Sequence, residues 1–118
     1  MTWMKTRDDS FKVYVESELL REVDGIAIRR MFDGHGIYLR GIFIGLINGG
    51  TLYLKVDREN QKDYEDEGSK RFVYRSHTGK PTTLSFWEVP SCAMDDPAAI
   101  VPWVMGAYAA VMRSKKKK

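Results

Sequence analysis

At 118 residues, with 43% hydrophobic and 30% charged side chains, the chain has the makings of one soluble domain, large enough for a single core and too small for two. Its formal charge of +3 comes from the four lysines Lys115 to Lys118, so the rest of the chain is close to neutral and lacks the density of cations that a nucleic-acid-binding fold usually shows. Cys92 is the only cysteine, which excludes an intramolecular disulfide, and without a secretory signal at the start a reducing cytoplasm is the expected setting.

Thr6-x-x-Asp9 has the form of a capping box, and Phe11, Val15 and Leu19 recur at helical spacing, which predicts a first helix from about Asp8 to Glu22. Asp24-Gly25 ends it, because glycine just past a helix takes the left-handed cap. Ile26 to Met31 reads as a strand, with Ile28 and Arg30 on one face. Ile37 to Leu39 and Ile42 to Ile47 follow, separated by the Arg40-Gly41 turn. Asn48-Gly49-Gly50 then predicts a tight hairpin before Thr51 to Val56, where Leu52, Leu54 and Val56 alternate inward.

Asp57 is placed to cap a second helix that runs to about Glu67 and stops at Gly68, with Tyr64 as its inward contact. Arg71 to Arg75 and Thr82 to Val89 make the next strand pair, joined around His77-Thr78-Gly79-Lys80-Pro81. Asp95-Asp96-Pro97 announces the last helix, since Asp accepts the orphan amides of an N-cap and Pro suits the first helical position. Pro102 predicts a kink or restart, with Trp103 to Met112 as the main segment. The fold class expected from this order is α+β: a single two-layer domain with helices packed on a mostly antiparallel sheet, its core over about residues 8–113 and a basic tail over 114–118.

Little in the chain suggests catalysis. Two histidines and one cysteine, without His-Glu-x-x-His or Cys-x-x-Cys spacing, leave no metal site to propose, and no cofactor motif is present. Gly34-His35-Gly36 is neither a dinucleotide fingerprint nor a phosphate loop, because Leu39 stands where a third glycine belongs. It reads as a structural turn that presents His35 as an exposed contact. Asp63, Glu65, Asp66 and Glu67 read as a solvated helix face, not as a buried general-acid pair. No catalytic residue is assigned, and the chain is expected not to be an enzyme.

Strand alternation sends Arg29 and Arg30 to opposite faces, so one of them points toward the core and needs a carboxylate or carbonyl, for which Asp57 or a helix C-terminus is available. Arg29, Arg30, His35, Tyr53 and Lys55 are the candidate interaction surface. Lys115, Lys116, Lys117 and Lys118 read as a disordered solubilising end or, alternatively, as an arm attracted to nucleic acid. Ala98 to Met112 carries no charge but is too short to span a membrane, so no membrane association is expected. Trp87 and Trp103 belong to the core, whereas Trp3 is the aromatic expected to be exposed or to pack on another chain.

The run Arg29-Arg30-Met31-Phe32-Asp33-Gly34-His35-Gly36-Ile37-Tyr38, followed by Leu52-Tyr53-Leu54-Lys55-Val56-Asp57, resembles the N-terminal domain of the TfoX/Sxy family of competence regulators. Gly68, Phe72-Val73-Tyr74 and Asp95-Asp96-Pro97 extend the resemblance over residues 8–113, and Asp33 departs from the glycine expected after Met-Phe-Gly. The resemblance implies positive regulation of DNA-uptake genes alongside the cyclic-AMP receptor protein in a bacterial cytoplasm. It also implies a stand-alone module, since longer members carry a second, helical domain. No family active site accompanies it. The partner implied is a protein, either a transcription factor or a second copy in a homodimer, with direct nucleic-acid binding through the basic residues as the alternative.

Overall fold

The computed structural model describes residues 6–31, 34–75 and 81–116, and the side chains of 10–31, 34–73 and 85–116. Helix α1 (Thr6–Tyr14) runs into a π-helical turn (Val15–Leu19), in which Leu20 N–H reaches back five residues to Val15 O at 2.9 Å. Val15 and Leu19, four residues apart on one face, are both fully buried in the core. Strands β1 (Ile26–Met31), β2 (Gly34–Leu39), β3 (Ile42–Asn48) and β4 (Thr51–Lys55) form a meander. Helix α2 (Gln61–Asp66) carries the chain to β5 (Arg71–Arg75), and β6 (Pro81–Glu88) returns between β5 and β4. Short α3 (Ser91–Met94) and long α4 (Val101–Lys116) close the chain. All six strands pair antiparallel in the order β1-β2-β3-β4-β6-β5, so the chain is α+β as its pattern predicts.

Local chemistry explains the turns. Arg40 and Gly41 both have positive φ (52° and 82°), as do Gly49 and Gly50 (58° and 77°). Two such residues in succession give the hairpin turn whose twist matches that of the strands. Ile44 is an extra residue in β3 opposite the step from Ile37 to Tyr38. This bulge explains why Ile44 and Ile47, three apart, both point inward.

The helices lie on one side of the sheet. Val15, Leu19, Ala93, Val104 and Ala107 meet Ile37, Leu39, Ile44, Ile47, Leu52 and Leu54 in one core. Tyr64 of α2 packs with Val56 and Trp87 on the same side. Small residues Val104, Ala107 and Ala110 let α4 lie close over β3 and β4, and Tyr14 donates its hydroxyl to Met94 O at 2.7 Å, fastening α1 to α3.

Several expectations change. Helix α4 begins at Val101, and Pro102 therefore falls in its first turn, where a missing N–H breaks no helical bond and no kink is needed. Asp96 instead caps a preceding turn, accepting Ala98 N–H at 2.9 Å. Lys115 and Lys116, expected in a disordered tail, continue the helix. Asp57 does not cap α2, which starts four residues later; its Oδ1 accepts Glu59 N–H, and its carboxylate is held by Arg113. Trp87 is buried, and Trp103, partly buried, packs against the core as expected. Trp3, Lys117, Lys118 and residues 76–80, on which the expected strand connection falls, lie outside the described residues.

Candidate functional site

With the helices on one side, the other face of the sheet carries no layer of its own among the described residues. The alternation that sends Leu52, Leu54 and Trp87 inward sends Tyr53, Lys55 and Phe86 outward. Across the middle strands this open face is aromatic: Tyr38 packs on Phe43 at 5.3 Å between ring centroids, Phe43 on Phe86 at 5.5 Å, and Tyr53 on Phe72 at 4.6 Å. Met31 and Leu46 add aliphatic surface. The rings are half-buried by one another, and Phe72 is buried. An antiparallel sheet with one wet face normally alternates apolar and polar residues, whereas Ile42-Phe43-Ile44-Gly45-Leu46-Ile47 is apolar throughout, the mark of a strand with packing on both faces.

Two cations sit on this surface. Arg29 lies over the Tyr38 ring at 5.7 Å, and Lys55 lies over Phe86 at 5.7 Å while donating to Ser85 Oγ at 2.8 Å. Burial raises the Tyr53 phenol above its ordinary pKa, so it stays a neutral donor. Lys115, from the last turn of α4, reaches the border of the face, where it lines a recess of about 380 Å3 with Lys55, Phe86 and Phe43. Lys116 is exposed at the helix end.

Of the residues singled out in the sequence, Arg29, Tyr53 and Lys55 therefore share a face. Arg30 and His35 do not. They are directly opposite each other on β1 and β2 and point to the helix side, with Ile28 and Ile37. Arg30 lies beyond the helical cover and is exposed, so it needs no carboxylate, and Asp57 is paired with Arg113 instead. His35 is 8% exposed, against the expectation of a solvent contact, because Gly34-His35-Gly36 is strand, not turn. Its Nδ1 has no hydrogen-bond partner among the described residues. Those glycines serve packing: a Cβ on Gly36 would come within 2.6 Å of Met31 Sδ and 3.1 Å of the Phe43 ring.

Sequence reasoning missed Tyr38, Phe43, Leu46, Phe86 and Glu88 as surface residues. The signal was the unbroken apolar run in β3 and the adjacent Phe86-Trp87, which fill both faces of the sheet. On the helix side, α2 and α4 border a recess of about 300 Å3 with Asp63, Glu67 and Trp103 in its lining. Cys92 is exposed, and its thiol is raised by desolvation and by Glu67, whose carboxylate accepts from Sγ at 3.7 Å. A raised thiol is a poor nucleophile at neutral pH. Among the described residues, no group of three or more His, Cys, Asp or Glu is placed to hold a metal ion, and no helix is long and apolar enough to cross a membrane.

The family model of the TfoX N-terminal domain matches residues 18–111, most of the chain. The chain belongs to that family. No curated protein matches it. The span matched to the TfoX N-terminal domain contains all six strands and the whole open face, and it ends before Arg113 and the lysines.

Proposed function

We propose that this TfoX N-terminal domain is a non-enzymatic protein-interaction module and that its working surface is the open face of the sheet. The observation that carries the reading is the layer of Tyr38, Phe43, Phe86, Tyr53 and Leu46 on the side without helices. An apolar surface of this kind on a small domain gains most by being covered, and a partner protein is the natural cover. The proposed partner class is a transcription factor or a second copy of the chain, the proposed setting is a bacterial cytoplasm, and the proposed role is regulation of DNA-uptake competence, which membership of the family supports. The face replaces the glycine segment as the proposed contact, since His35 is buried.

A photo-crosslinking side chain placed at Phe43 tests this in native extract, with the same group at exposed Glu65 as control. Protein adducts at Phe43 alone are expected. Nucleic-acid adducts at Phe43, or equal protein adducts at both positions, would count against the reading.

A second reading, a direct and salt-sensitive nucleic-acid binder, draws on Arg29 and Lys55 over aromatic rings with Lys115 nearby. It is the weaker one, because those cations already occupy ring faces on which a base would stack.

A further inference from the structure

Resting on the protein-interaction reading, we propose that the open face is covered by a second copy of the same chain, related by a two-fold axis that runs along β3 above Leu46. The register sets one residue from each of five adjacent strands in a single row on that face: Arg29 opposite Gly36, Gly36 opposite Leu46, Leu46 opposite Tyr53, and Tyr53 opposite Glu88. The row is charged only at its ends, positive on β1 and negative on β6, and among the described residues neither end group is in an ion pair. β3 is the middle strand of the five.

An isologous interface demands that a patch complement itself. A two-fold axis parallel to β3 lays β1 of one copy over β6 of the other and β2 over β4, while β3 meets itself. Arg29 of each copy then faces Glu88 of the other, and Leu46 meets Leu46. The bulk of Tyr53 comes over Gly36, where there is no side chain. One pleat further along, Tyr38 and Lys55 flank Phe43 on β2 and β4, so the same axis lays Lys55 of one copy over Tyr38 of the other. The alternative axis, along the row, would set Arg29 against Arg29 and is disfavoured by charge.

Five strands of five to eight residues, spaced about 4.8 Å apart, give over a shared length of about 18 Å a face of roughly 24 Å by 18 Å, so two copies cover on the order of 900 Å2 in projection, below the size of stable specific interfaces and within that of weak, transient ones. A weak, concentration-dependent dimer is what that area supports.

Sedimentation velocity on the full chain, from about 1 to 300 μM, reads the association directly. The wild-type chain is expected to dimerise with Kd on the order of 10 μM. Arg29→Glu and Glu88→Arg should each weaken the dimer by about tenfold or more, and the two together should restore it to within about threefold. Leu46→Arg should abolish it. Circular dichroism verifies the fold of each variant, and the double reversal remains decisive should one single variant fold poorly. A wild-type chain that stays monomeric throughout, or single reversals that change nothing, would overturn self-association. Neither result touches the broader reading, which is tested separately by crosslinking at Phe43 and by nucleic-acid binding.

Discussion

Arg113, in the last turn of α4, donates from Nε to Asp57 Oδ2 at 2.7 Å and from Nη2 to Asp57 Oδ1 at 2.8 Å, closing its guanidinium fork on the carboxylate just after β4. The bidentate geometry fixes the end of the helix against the sheet across 56 residues of sequence. The arginine side chain is 38% exposed, so solvent screens much of the attraction. Arg113→Ala is expected to lower stability by about 1 kcal/mol in urea titration, the upper part of the range for an exposed pair. A loss indistinguishable from zero would mean that the helix end is held by packing alone.

The same pair predicts an acid dependence. Hydrogen bonding from Arg113 is the largest cause, with the Glu59 amide also helping against burial, that lowers the Asp57 carboxyl from 3.8 to about 2. A depressed carboxyl contributes stability that is fully present above its unfolded value and is lost as pH falls from about 3.8 through about 2. The stability gap between wild type and Asp57→Asn should therefore be constant from neutral pH down to about 5 and close below it. A gap that persists unchanged at pH 2 would show that the carboxyl is not perturbed.

Two glycines should respond in opposite directions. A Cβ on Gly45 would lie 2.5 Å from Tyr53 O and 2.8 Å from Leu54 Cδ2, so Gly45→Ala must push β3 from β4 and is expected to cost about 1–3 kcal/mol. Gly106 lies inside α4, where the nearest atom to an added Cβ, on Asn60, is 3.6 Å away. Gly106→Ala should then stabilise by roughly 0.5–1 kcal/mol through helix propensity. Denaturant titration of both variants reads the contrast directly, and destabilisation by both would disprove the packing argument at α4.

Features governed by neighbouring residues were the legible ones. Asn48-Gly49-Gly50 and Arg40-Gly41 announce turns because positive φ is a local demand, and Leu52, Leu54 and Val56 alternate because a strand does. Gly34 and Gly36 misled for the converse reason. Their missing side chains answer to Ile47 O, Met31 and Phe43 on neighbouring strands, which spacing along the chain does not encode. The bulge at Ile44 shifts the alternation so that Phe43 and Leu46 share the open face, and a strict period of two assigns them to different faces. The insertion of β6 between β4 and β5, and the reach of Arg113 to Asp57, are tertiary facts of the same kind.

The central claim, that the open face receives protein and not nucleic acid, is most directly tested by fluorescence anisotropy. A labelled random-sequence duplex and a labelled single strand would be titrated at two salt concentrations with the full chain, a version ending at Arg113, and an Arg29→Ala/Lys55→Ala variant. The account predicts no binding, or weak binding that disappears with the lysines and with added salt. Binding that survives truncation and is lost with Arg29 and Lys55 would make the open face a nucleic-acid reader and contradict the account.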